Sequence, residues 1–294
     1  MQIKTALQNA NTVAIISHRN PDADTVGSNL ALREILERWG KKVTSACVDP
    51  VPSELEFLST ISAFQQEFVL KDIDIIVCVD ISGTTQTVFL ERYSDIFKKK
   101  IPIINIDHHR SNSLYGTINL VLPDCAATTL IMYRLFKIWD EKISKKMATA
   151  LLCGLYFDTG SFMHSNTCDQ VYRAGGELLE LGAEINLIVK NLFRTHGIEK
   201  LKIWGKILSE IKQTDKNVVF SVIRPSRSEA NIEPSRHDGT SLTEKDSTWQ
   251  RAKSSLTSGV VDYLSMAKDN LFAALLAEDN SGNIRGSLRA RNDD

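Results

Sequence analysis

The sequence predicts an α/β protein: an N-terminal domain with a largely parallel sheet, followed by a second, smaller α/β domain. Three observations carry this expectation. Short apolar runs, TVAIIS (12–17), KVTSACV (42–48), DIIVCVD (74–80) and IPIINID (101–107), alternate with longer amphipathic stretches, the pattern of βα units. Two of these runs end in Asp, and a third is followed at once by His18. After residue 214 the texture changes to a strand, a polar stretch, a helix and a hairpin.

The first helix is expected over Thr25 to Trp39, where Val26, Leu30, Leu32, Ile35, Leu36 and Trp39 make an apolar face and Gly40 stops it. Further helices are expected over Ala126 to Trp139 and Ser144 to Phe157, Ser144 with Met147 giving a partial capping signal. Another covers Cys168 to Leu181, ended by Gly182. In GIEKLKIWGKILSEIK, Ile198, Leu201, Trp204, Leu208 and Ile211 recur at helical spacing and read as a connecting helix. A strand (217–223), a polar stretch (224–247), a helix around Trp249 to Met266 and a hairpin turning at Asn280 to Asn283 follow. The expected division is 1–190, a linker helix at 191–214, and 215–294.

The chain has 294 residues, 43% hydrophobic and 24% charged, which excludes disorder and fibrous repeats. A formal charge of -1 gives no global attraction to nucleic acid or an anionic membrane, so phosphate binding must be organised locally. No apolar run approaches the roughly 18 residues a membrane span needs. The N-terminus lacks a leader's apolar segment, so no membrane partner and a cytoplasmic location are expected. The five cysteines form no CxxC pair and read as core or bland surface residues.

Chemistry collects at the strand ends. AIIS delivers His18, IIVCV delivers Asp80, IINI delivers Asp107, His108 and His109, and the apolar segment ATALLCGLYF delivers Asp158. In open α/β sheets such ends converge on one edge. With Asp22 and Asp24 from the first loop, this clusters carboxylates that would repel unless cations held them. Asp and His without thiolate favour Mn²⁺ or Mg²⁺, and two ions about 3.5–4 Å apart suit phosphoryl hydrolysis. Taken singly, Asp22, Asp24 or Asp80 reads as well as a helix N-cap. His164, His196 and His237 read as ordinary surface or core residues.

These residues resemble the DHH phosphoesterase family: HRNPDADTVGS for its first motif, the Asp of CVDIS for the second, IDHHRSN for the third and FDTGSF for the fourth. The resemblance implies that His18, Asp22 and Asp80 hold one Mn²⁺ and that Asp24, Asp80, His108 and Asp158 hold the other. It makes His109 face the scissile phosphate and Asp107 orient a histidine. Gly27 and Ser28 read either as a close backbone approach for a phosphate or as a plain tight turn. The later part resembles a DHH-associated substrate domain, incomplete here because the family's glycine-rich segment is missing after GSLRA, and Arg289 would bind a substrate phosphate. The implied substrates are short RNA or 3′-phosphoadenosine 5′-phosphate, and a homodimer is compatible with this. The alternatives are a cyclic- or linear-dinucleotide phosphodiesterase, a RecJ-like single-strand exonuclease, an inorganic pyrophosphatase and a non-catalytic nucleotide-binding module.

Overall fold

A computed structural model describes residues 2–58, 64–93, 101–194, 197–223, 257, 259–278 and 283–290. Its first unit, Met1–Thr195, is built on a six-stranded sheet. The strands are β1 (Thr12–Ile16), β2 (Lys42–Ala46), β3 (Phe64–Gln65), β4 (Ile75–Val79), β5 (Ile103–Asp107) and β6 (Ile118–Val121). They run parallel in the order β3-β2-β1-β4-β5-β6. All five residues of β4 and of β5 are buried, which is why these strands read as continuous apolar runs rather than as an alternation.

Alternate side chains divide between two cores. Val13, Ile15, Val77, Val79, Ile104 and Ile106 face a layer of helices. Ala14, Ile16, Ile76, Cys78 and Ile103 face a second core closed by Phe68, Leu70, Phe89 and Leu90. The longer helices are α1 (Gln2–Asn9), α2 (Ala23–Arg38), α3 (Thr128–Ile138), α4 (Lys145–Asp158), α5 (Asp169–Glu180) and α6 (Ile185–Phe193). Ser144 caps α4, its side chain accepting from the Met147 amide at 3.1 Å. Gly40 ends α2 with φ of +75°, the left-handed residue that releases the chain toward β2. The expected strands and helices of this unit are present with ends shifted by a few residues. The sequence reading missed α1, α6, β3 and β6: β3 and β6 are very short edge strands, and α1 and α6 are short helices.

Gly27 is neither a phosphate approach nor a tight turn. It lies inside α2, where a Cβ would stand 2.4 Å from the Ala150 carbonyl oxygen and 3.2 Å from Thr129 Cγ2. Gly154 answers it from α4: a Cβ there would meet Thr129 Cγ2 at 2.5 Å and Asp24 Cα at 2.9 Å. The two glycines let α2 and α4 cross almost backbone to backbone, which brings Asp24 and Asp158 onto neighbouring elements.

The second unit, His196–Asp294, has helices α7 (Ile198–Ser209) and α8 (Val260–Leu264). Its strands are β7 (Lys212–Gln213), β8 (Val218–Ile223), β9 (Phe272–Glu278) and β10 (Ile284–Ala290). The sheet order is β10-β9-β8-β7, with β8 and β9 parallel and the other pairs antiparallel. Of the segment expected to be a linker, 191–214, the part from residue 196 onward belongs to this unit. Trp204 and Ile207 of α7 are buried with Val219, Val260, Val261, Leu264, Ala273 and Leu275. An amphipathic helix left as a free connector would have kept that apolar face in water. The β9–β10 hairpin is present. The expected polar stretch, most of the helix around Trp249, and most of the Asn280–Asn283 turn lie outside the described residues. Among the described residues no helix is long and apolar enough to cross a membrane.

Gly27→Ala is expected to destabilise the first unit by about 1–3 kcal/mol, because the neighbour its Cβ meets is backbone. Gly176→Ala in α5, where nothing lies within 4 Å of the added Cβ, is expected to stabilise by about 0.5–1 kcal/mol. Urea midpoints with unchanged m-values measure both, and equal midpoints for the two variants would contradict the packing assigned to Gly27.

Candidate metal centre

The site stands where the strand order reverses. β1 and β4 are neighbours, yet the chain leaves β1 toward β2 and β4 toward β5, which opens a crevice at their carboxyl ends. After β1 comes His18, then Asp22 as N-cap of α2, whose Oδ1 accepts from the amides of Asp24 at 3.0 Å and Thr25 at 3.2 Å. β4 is followed by Asp80, held at φ of +62° while its amide donates to Ile106 O at 2.9 Å. That left-handed conformation, tolerated by Asp at a cost of about 1 kcal/mol, breaks the strand at the crevice. β5 ends in Asp107 and runs into His108 and His109, while Asp158 is the last residue of α4.

Seven side chains meet here. His18 Nε2 lies 3.7 Å from Asp22 Oδ2 and 3.5 Å from Asp80 Oδ2. His108 Nε2 lies 3.6 Å from Asp80 Oδ1, 3.1 Å from Asp158 Oδ2 and 4.0 Å from Asp24 Oδ2. The two oxygens of Asp80 thus face different histidines. Ligand atoms of His18, Asp22 and Asp80 form one group compact enough for a metal ion, those of Asp24, His108 and Asp158 a second, and those of Asp80, His108 and His109 a third. Both histidines use Nδ1 on backbone carbonyls, His18 on Arg19 O at 2.8 Å and His108 on Cys125 O at 3.2 Å, which leaves Nε2 toward the carboxylates. His108 Nε2 is buried and faces these carboxylates as an ion-pair partner, the 3.1 Å approach of Asp158 Oδ2 lacking hydrogen-bond alignment. A buried nitrogen so placed among carboxylates fits a divalent cation.

Asp24 is fully buried and accepts from Thr128 N at 2.6 Å, Thr129 N at 2.9 Å and Thr129 Oγ1 at 2.6 Å. It therefore caps α3, a helix far from it in sequence. Thr128 Oγ1 donates to Asp80 Oδ1 at 2.9 Å. Sequence reasoning missed both threonines, although paired hydroxyl residues opening an expected helix in CAATTL were a usable signal. It also passed over Asn112, whose Nδ2 donates to Asp107 Oδ2 at 2.6 Å and to Ile81 O at 3.1 Å.

Asp107 sits behind the cluster. Its Oδ1 is 2.7 Å from His109 Nδ1, so the outer nitrogen of His109 is the one left for a ligand, and the His109 side chain is 43% exposed. His164 stays out of the cluster: its ring covers Gly160, and its Nδ1 is 3.4 Å from the Asp158 carbonyl oxygen. His196 and His237 lie outside the described residues. Arg289, on β10 in the second unit, is half exposed and donates through Nε to Asp262 Oδ1 at 2.6 Å. Its charge is already partnered within that unit.

The electrostatics follow from crowding. Burial, then the charges of Asp158 and Asp80, hold the Asp24 carboxyl well above the usual carboxylate range. Burial and the charges of Asp80 and Asp22 push Asp158 up to about 6 against the opposing pull of His108. Burial would also raise Asp22, but the hydrogen bond and charge of His18 and the amides of Thr25 and Asp24 outweigh it and lower its pKa. For the histidines, burial works against the charged form, yet Asp22 and Asp80 raise His18 to about 11, and Asp158, Asp24 and Asp80 raise His108 to about 10. The hydrogen bond to Asp107 raises His109.

Comparison with known proteins places this geometry among others. The profile described as "DHH family, N-terminal domain" matches residues 12–155. The bifunctional oligoribonuclease and PAP phosphatase NrnA of Thermus thermophilus is 27% identical over 205 residues, 68% of this chain and 59% of that protein. A probable manganese-dependent inorganic pyrophosphatase of Listeria welshimeri is 25% identical over 198 residues, 64% of this chain and 59% of that protein. The chain thus spans about three fifths of each of these relatives. The fold is similar to the crystal structure of an exopolyphosphatase-related protein from Bacteroides fragilis, with a TM-score of 0.83 and 24% identity, covering 99% of this chain and 82% of that one.

The neighbouring carboxylates push His18 up to about 11 and His108 up to about 10, which favours the protonated imidazoles in the cation-free protein. A metal-ligating histidine is neutral, so a divalent cation that bound at these histidines would be expected to release protons and to bind more tightly as pH rises. Calorimetric titration in two buffers of different ionisation heat measures the release; a binding heat independent of buffer would contradict it.

Proposed function

Residues 12–155 belong to the DHH family as its N-terminal domain, and on that premise we propose that the chain is a divalent-metal-dependent phosphoester hydrolase acting on short oligoribonucleotides and 3′-phosphoadenosine 5′-phosphate. The observation that carries the reading is the buried His108 Nε2, which faces three carboxylates, Asp158 at 3.1 Å, Asp80 at 3.6 Å and Asp24 at 4.0 Å, and shares Asp80 with the His18 and Asp22 group. The likeness to the Thermus oligoribonuclease and PAP phosphatase supports the substrate class, and the manganese-dependent relative supports Mn²⁺.

In this reading His18, Asp22 and Asp80 hold one cation and Asp24, Asp80, His108 and Asp158 the other. Two such cations supply Lewis acidity toward phosphoryl oxygens and lower the pKa of an attacking water. His109 binds the substrate phosphate through its free ring nitrogen. Asp107 fixes the orientation of that ring from behind, and by favouring the charged imidazole it lets His109 hold a proton for an oxygen that gains charge. Asn112 in turn fixes Asp107. Arg289 takes a substrate phosphate once it exchanges its contact with Asp262.

Purified chain with Mn²⁺ is expected to cleave a labelled diribonucleotide and to release phosphate from 3′-phosphoadenosine 5′-phosphate, with both activities lost in chelator. Turnover of pyrophosphate alone would replace this substrate assignment with that of a pyrophosphatase. His109→Gln is expected to lower kcat by about 10²–10⁴-fold while leaving Mn²⁺ affinity within about twofold, because general acid–base groups contribute on that scale. Asp80→Ala is expected to abolish both turnover and Mn²⁺ binding in a chain that still folds, and retained binding would remove Asp80 from the ligand set.

A further inference from the structure

Thr128 is fully buried as the first residue of α3 and touches two carboxylates with two different donors. Its backbone amide donates to Asp24 Oδ2 at 2.6 Å, and its hydroxyl donates to Asp80 Oδ1 at 2.9 Å. Asp24 stands in one candidate metal group and Asp80 in another. Asp80 Oδ1 is the same oxygen that lies 3.6 Å from His108 Nε2. The hydroxyl has a single proton, and giving it to Asp80 fixes its direction.

We infer that Thr128 is a positioning residue that sets the separation of Asp24 and Asp80 and so couples the two cation groups. The inference rests on the two-cation reading given above and goes beyond it, since Thr128 is no ligand. Thr129 provides an internal contrast. Its hydroxyl and amide both bond Asp24 Oδ1 and nothing else in the cluster, so it bears on the Asp24, His108 and Asp158 group alone.

The test is a titration of the whole chain with Mn²⁺, reading free ion by its electron paramagnetic resonance signal, with no substrate present. Thr128→Val keeps the side-chain volume and the backbone amide but removes the hydroxyl. It is expected to weaken both binding events by about 10–100-fold, the scale on which groups that orient ligands act. Thr128→Ala, which cannot overpack the site, carries the same expectation should the valine variant fold poorly. Thr128→Ser restores the donor and is expected to bind within a few-fold of the unaltered chain, a rescue that a merely structural role in capping α3 does not require. Thr129→Val is expected to weaken one event and spare the other.

Unchanged affinity in Thr128→Val and Thr128→Ala, failure of serine to rescue, or an identical response to Thr129→Val would each overturn the role of Thr128. If the unaltered chain binds no Mn²⁺ at all, the two-cation reading falls and this inference with it. If it binds two ions and Thr128→Val binds them as tightly, only the inference falls.

Discussion

Everything at the site depends on burying the carboxylate of Asp24 beside those of Asp80 and Asp158. Burial alone disfavours a carboxylate, and like charges around it add to the cost. The protein meets that cost with the N-terminus of α3, whose first two amides and one hydroxyl are given to Asp24. A helix N-terminus favours negative charge, so the chain supplies a fixed positive dipole where the sheet cannot. The close crossing at Gly27 and Gly154 makes this geometry available, because any side chain there would hold α2 away from α4 and from Thr129.

The histidines complete the balance. His18 and His108 each commit one ring nitrogen to a backbone carbonyl and turn the other toward carboxylates, a tautomer choice made by backbone rather than by another side chain. Without a cation they answer the negative charge with protons of their own. A divalent cation held by the same side chains would supply that balancing charge in place of the protons. Asp80, with one oxygen toward each histidine, is where the two groups meet.

Helix capping and metal binding entered as competing readings of Asp22 and Asp24, and the structure gives both residues a cap to make. Asp22 caps its own helix, α2, as local spacing suggests. Asp24 caps α3, more than a hundred residues away, which no local pattern could disclose. Asp22 caps with Oδ1 and turns Oδ2 to the cluster, while Asp24 Oδ2 faces His108 and accepts from Thr128 at once, so a capping contact does not remove a carboxylate from candidacy. Arg289 makes the opposite point. Its strand was legible as half of a hairpin, but its ion pair with Asp262 came from a helix packed beside that strand and had no trace in GSLRA.

The sequence by itself determined the alternation of buried strands and amphipathic helices, and which Asp and His residues stand at their ends. Both are properties of adjacent residues: apolar runs must be covered, and a charged residue cannot continue a buried strand. Very short edge strands such as β3 and β6 left no such pattern, and the apolar face of α7 did not say which core would cover it. Only the tertiary structure decided that Gly27 serves helix packing, that Thr128 reaches Asp80, and that Asp24 is held by α3. Those depend on distances between elements far apart in the chain, which are set by how the helices pack on the sheet.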